Sequence, residues 1–221
     1  MQVKNYIKRY FLFILGLFFT GLGVAFARHS ALGVSPISSV ANVLSLRFTF
    51  FSLGNWLILW NCVLILGQII ILRRDFKIYQ LLQIPLSVLF GYFTDFGMWI
   101  VHFIPVKNYA VQFALLLCGI LVIAFGVSLT VIANVIMNSG EAIVKAVSDK
   151  WNFEFGNVKV FFDISCVTVS VLLSLLLFNL KIVGTREGTI ITALCTGFAV
   201  KTITRLIKPA CTAFICPQTE N

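Results

Sequence analysis

The sequence predicts an all-α integral membrane protein, six transmembrane helices (five at the least) arranged as two inverted three-helix repeats, each with a short interfacial or re-entrant half-helix. Three observations lead there. Hydrophobic residues make up 59% of the 221 and charged residues only 11%, an apolar load that a soluble core of this size could not bury. Apolar runs recur at the length of about 20 residues that a helix needs to cross a bilayer. The chain also says the same thing twice: Gly33-Val34-Ser35-Pro36-Ile37-Ser38-Ser39-Val40 follows the first apolar run, and Asn138-Ser139-Gly140-Glu141-Ala142-Ile143-Val144 follows the fourth.

The clear spans are 10–27, 53–72, 109–132 and 157–179. Segment 79–103 carries Pro85 and Asp95 and is still long enough to cross. Segment 187–207 holds Lys201, and its repeat counterpart supports it: Gly188-Thr189-Ile190-Ile191-Thr192-Ala193-Leu194 with Gly197 matches Leu82 to Leu89 with Gly91. Repeat one therefore covers about 10–104 and repeat two about 109–208, in a single membrane domain of residues 1–221, and 209–221 forms an irregular cytoplasmic tail. The copies are offset by about 102 to 106 residues, with a Gly-Asn step repeated at Gly54-Asn55 and Gly156-Asn157. Such a fixed offset marks an internal duplication.

Basic residues set the orientation, because cytoplasmic loops are enriched in Lys and Arg. A cytoplasmic N-terminus puts eleven of the 17 Lys and Arg inside and five outside, with Lys201 within a span. Both termini are then cytoplasmic, and three spans per half turn the second half upside down relative to the first. The net charge of +9 is read as loop charge held by an anionic leaflet, with no nucleic-acid partner. Lys8-Arg9 before an apolar run ending Ala25-Phe26-Ala27 resembles a secretory signal. The run exceeds the ~7–15 residues of a signal core, so an uncleaved first helix is expected.

Segments 28–48 and 133–152 are too short and polar to span. Ser35-Pro36 and Ser139-Gly140 look like helix starts, Ser as an N-cap and Pro in a first turn where its missing N–H costs nothing. These half-helices either lie on the membrane surface, one on each side, or dip in with their N-termini facing a central cavity where an anion or polar group could sit.

Together the Gly-x-Ser-Pro segment, its copy with Ser139-Gly140-Glu141-Ala142 and the Gly188–Leu194 run resemble the YczE/YyaS/YitT family of bacterial membrane proteins, closest to the YczE branch, as far as about Lys208. The resemblance implies a multi-pass bacterial inner-membrane protein of a family described as permeases without an assigned activity. It carries over no catalytic or ligand residues. Glu141 departs from the small or apolar residue or Pro that the family pattern favours, which makes the two half-helices unequal.

Ionisable groups within spans are costly and mark function by default. Asp95 falls toward the outer end of its span, Asp163 and Lys201 toward inner ends; an Asp163–Lys201 contact follows, with Asn61–Asp95 as its counterpart in the first half. The candidate substrate-binding set is Ser35, Pro36, Ser139, Gly140, Asp95, Asp163, Lys201 and Asn61, against the plainer reading that the last four fasten helices. Gln68, Gln83, Asn134 and Asn138 are read as interhelical hydrogen-bonding residues, and Glu141 with Lys145 as a surface pair.

His29 and His102 have no metal-ligand spacing around them, and the cysteines stand singly in spans or in the tail. No nucleophile triad, HExxH or phosphate loop occurs, so no enzyme, metal or cofactor is expected. The readings left are a small-solute secondary transporter or permease in the lipid bilayer, and a non-transporting scaffold or regulatory partner of another membrane system.

Overall fold

A computed structural model describes residues 2–215, with side chains from Asn5 onward. The described elements are all helical: α1 (Gln2–His29), α2 (Pro36–Arg47), α3 (Leu53–Leu72), α4 (Gln83–Val101), α5 (Tyr109–Ala133), α6 (Ser139–Trp151), α7 (Phe155–Leu177) and α8 (Glu187–Ile215). Short 3₁₀ turns at Arg73–Asp75 and Ile78–Leu82 join α3 to α4. Six segments are long and apolar enough to cross a membrane: Asn5–His29, Leu53–Asp75, Ile78–Val101, Tyr109–Ala133, Phe155–Leu177 and Glu187–Ile215. In hydrocarbon the backbone must satisfy its own hydrogen bonds, which is why these apolar runs become helices. Polar caps punctuate them: Ser52 accepts from Asn55 N at the start of α3 and Asn108 from Val111 N at the start of α5. Asn134 and Asn152 end α5 and α6 in the left-handed conformation, which Asn tolerates better than most residues.

The centre of the bundle is the antiparallel pair α1 and α5. A Cβ on Gly16 would lie 2.7 Å from the Gly126 carbonyl, and one on Gly23 would lie 2.8 Å from the Gly119 carbonyl. The same approach holds from the other side, Gly126 on Gly16 and Gly119 on Gly23. Small residues let two backbones meet this closely, the usual means of association where lipid removes the hydrophobic driving force.

Around this pair α4 packs on α1 and α8 on α5, α7 packs on α2 and α3 on α6, and each half-helix also touches the long helix that follows it. Lys8 Nζ donates to the Phe214 carbonyl at 2.6 Å, so the start of α1 and the end of α8 lie on the same side. His29 Nε2 meets the Ile104 carbonyl at the opposite side.

Two expectations change. Helix α8 runs through Pro209 to Ile215, where an irregular tail was expected from 209. Proline deletes one backbone bond, and buried Ile215 in the cluster around Leu12 and Phe13 holds the last turns down. The remainder of the tail, 216–221, lies outside the described residues. At α6 the N-cap is Asn138, with Ser139 the first helical residue, and neither it nor Ser35 makes a side-chain capping bond.

Candidate functional site: the meeting point of two half-helices

Of the two placements open to the half-helices, the structure has them enter the bundle. Eight of the twelve residues of α2 are buried, more than one face of a helix lying on a surface could account for. Ser39 Oγ donates to Pro36 O at 2.6 Å and to the carbonyl of Cys166 at 3.4 Å, and Cys166 is the middle residue of α7. Farther along α2, Asn42 Nδ2 donates to Gly184 O at 2.7 Å in the loop beyond the end of α7. The first turn of α2 is thus its innermost part.

Helix α6 is built the same way from the other side. Gln68 and Gln83 exchange amide hydrogen bonds of 3.2 and 3.1 Å. Gln68 also donates to Ser139 O at 3.2 Å, while the Ser87 and Ser139 hydroxyls lie 3.4 Å apart. Gln68, Gln83, Ser87 and Ser139 are all buried. At the other end, Lys145, Asp149 and Lys150 line a cavity of about 520 Å³ together with Asp75, Lys77 and Gln83.

The two first turns meet. A Cβ on Gly140 would lie 2.7 Å from Ile37 Cδ1, so N-terminus faces N-terminus inside the bundle. The first N–H groups of a helix have no acceptor within it, and its dipole puts a positive partial charge there. Two such ends pointing together, with Ser35, Ser38 and Ser39 at the start of α2 and Ser139 at the start of α6, favour a polar or anionic group over an apolar one.

The predicted residues divide accordingly. Ser35 and Pro36 open the first turn of α2 and Ser139 and Gly140 that of α6, the two turns touching through Ile37 and Gly140. Asn61 is buried in α3, and no hydrogen bond joins it to Asp95. The Asp95 carboxylate takes Ser52 Oγ at 2.5 Å and Gly54 N at 2.8 Å, so Asp95 fastens the start of α3 to α4. Asp163 pairs with Lys159 one turn earlier, at 2.5 Å, and not with Lys201. An i,i+4 partner on the same helix is always within reach, whereas Lys201 stands exposed on α8, which does not pack along α7. Glu141 faces the charges of Lys159 and Asp163. Lys145 pairs with Asp149 at 3.5 Å in place of Glu141.

Gln68 and Gln83 bond between helices as read from the sequence, but their contact with the half-helix was not legible. Ser39 and Ser87 were missed. Their signals were available: Ser39 lies in the first turn after Ser35-Pro36, and Ser87 sits in the Leu82–Leu89 segment that recurs in the second half.

No curated protein and no solved structure matches the chain. One protein family does, over residues 7–205, and it is described as a family of unknown function, DUF6198. That match spans nearly the whole bundle, from the first turns of α1 to late α8, and the chain belongs to this family.

Proposed function

We propose that this protein is a secondary transporter or permease of the cell membrane, carrying a small polar or anionic solute through a site between the half-helices of two inverted repeats. The observation that carries the reading is the contact of Ile37 with Gly140, which sets two helix N-termini against each other within a bundle of spanning length. Broken or half-length helices at the interface of two repeats are the usual way such carriers make a polar site in hydrocarbon.

The duplication supports the inverted arrangement. Gly16 and Gly23 correspond to Gly119 and Gly126 at a constant offset of 103, and the observed pairs, Gly16 with Gly126 and Gly23 with Gly119, are interchanged by swapping the halves. The packing of α2 on α7 and of α6 on α3 is interchanged in the same way. The basic loops favour a cytoplasmic position for both termini. The Gly-x-Ser-Pro and Gly-Thr-Ile-Ile segments resemble those of YczE-like proteins, and this resemblance supports a place in a bacterial inner membrane.

The test is purified protein screened by thermal shift against inorganic anions, amino acids, carboxylic acids and short peptides, then uptake of the radiolabelled hit into proteoliposomes. A stabilising compound is expected to be taken up, and Gln68→Ala is expected to weaken it by about tenfold, equivalent to ~1.4 kcal/mol. No stabilisation and no uptake across the panel contradicts transport, and leaves the scaffold reading, for which the exposed faces of α7 and α8 would be the docking surface.

A further inference from the structure

Besides Glu141, the two halves differ in the closure of a helix pair. In the first half α3 lies along α4. A Cβ on Gly54 would collide with the Gly91 carbonyl, one on Gly91 would come within 2.6 Å of the Ile58 side chain, and Asp95 binds Ser52 and Gly54 just beyond. In the second half the corresponding glycines are Gly156, 102 residues on from Gly54, and Gly197, 106 on from Gly91. A Cβ on Gly197 would meet nothing within 4 Å, and one on Gly156 only the Glu154 carboxylate at 4.0 Å.

A glycine within a helix costs up to ~1 kcal/mol relative to alanine. Its place is usually explained by a close approach, as at Gly54 and Gly91, and Gly197 has none here. The flanking residues have changed in step. Where the first half has Ser52, the second has Glu154; where the first has Asp95, the second has Lys201 at the same 106-residue offset as the glycine. A serine–carboxylate contact has become a carboxylate–ammonium pair that is not made. Lys201 is exposed with no bonding partner among the described residues, and Glu154 is exposed, holding only Asn157 Nδ2 at 3.2 Å.

We propose that α7 and α8 close on each other at their cytoplasmic ends in a second conformation, Gly156 seating against Gly197 and Glu154 pairing with Lys201, to form a gate below the half-helix site. The inference rests on the inverted-repeat reading above. The connection at their opposite ends is held: Ser170 Oγ and Thr185 Oγ1 lie 3.0 Å apart and Ser174 Oγ accepts from Val183 N and donates to the Lys181 carbonyl at 2.9 Å, which ties α7 to the loop leading into α8, and Gly188 N of α8 donates to Leu32 O at 3.0 Å between α1 and α2. Closure is therefore a swing about the outer end. On the moving side, left-handed Asn152 leads into an exposed stretch, 151–157, with few contacts to resist it. The structure has α3 and α4 packed at Gly54 and Gly91 and α7 and α8 apart at Gly156 and Gly197; the gate supplies the other state. Two discrete packings of one element are what alternating access requires.

Cysteine pairs in an otherwise cysteine-free chain test this in native membranes. Ser52Cys with Asp95Cys and Glu154Cys with Lys201Cys are each oxidised by copper phenanthroline. The expected result is a disulfide in both, the second pair reaching a yield of the same order as the first although the two chain segments do not pack in the structure. Gly197→Leu added to the second pair should lower its yield by about tenfold, by disfavouring the closed packing, with the unfolding temperature unchanged because the site is open here. A first pair that cross-links while the second never does, or a second pair indifferent to Gly197→Leu, overturns the gate. Both outcomes are read without a solute. Cross-linking without uptake of any compound defeats transport alone, and uptake without cross-linking defeats the gate alone.

Discussion

Replacing Gly54 with alanine should destabilise the protein by about 1–3 kcal/mol, the usual range for a methyl forced into filled space, while the same change at Gly156 should be neutral or slightly stabilising. The two positions follow the same Gly-Asn step in sequence and differ only in their neighbours. At Gly54 the added carbon falls on the Gly91 carbonyl and 2.6 Å from Asp95 Oδ2. Backbone cannot move aside without separating α3 from α4, and the Asp95 carboxylate would lose its hold on Gly54 N. At Gly156 the nearest atom is the end of a mobile side chain, and alanine gains helix propensity. Thermal unfolding in detergent, compared among the wild type, Gly54→Ala and Gly156→Ala, measures the difference. Equal losses at both positions would mean that α7 and α8 are packed like α3 and α4 in the resting protein.

Asp95→Ala should be the second costly change, and Lys201→Ala should be close to silent for stability. The Asp95 carboxylate satisfies both Ser52 Oγ and Gly54 N; hydrogen bonds to a charged group are worth about 1.5–3 kcal/mol. Its loss also leaves the first turn of α3 without the negative charge that its dipole favours. Because Ser52 acts through the same carboxylate, Ser52→Ala combined with Asp95→Ala should cost less than the two single losses added together. Additive losses would show that Asp95 acts on something other than the start of α3. Lys201 makes no hydrogen bond or ion pair among the described residues in this state, so its removal takes no such bond away.

These contrasts also mark what could be read from the chain. Composition and span length were enough for six helices long and apolar enough to cross a membrane, and the repeated Ser-Pro and Ser-Gly segments were enough for two half-helices. The sequence could not measure how deep they go. Depth depends on tertiary bonds such as Ser39 to the Cys166 carbonyl and Gln68 to the Ser139 carbonyl, which leave no periodic signature. Pairing of charges by depth alone failed for Asp163, because Lys159 on the same helix needs no tertiary packing to reach it. Lys201 itself is exposed and unpaired among the described residues, because α8 does not pack along α7. The stretch from 209 read as an irregular tail, and the packing of Ile215 against α1 instead carries α8 through Pro209.

The central claim is that the two half-helices meet head to head inside the bundle, and a cross-link between them tests it most directly. Ile37Cys and Gly140Cys, in a cysteine-free chain in native membranes, are treated with a short thiol-to-thiol reagent and the product is read as an internal link joining the two halves after cleavage of the chain between α4 and α5. The account predicts efficient linkage, together with slow labelling of Ser35Cys and Ser139Cys by membrane-impermeant maleimide from either side. Absence of the link, with both serine positions labelled as fast as an exposed loop residue such as Lys107Cys, would put the half-helices flat on opposite membrane surfaces and contradict the site altogether.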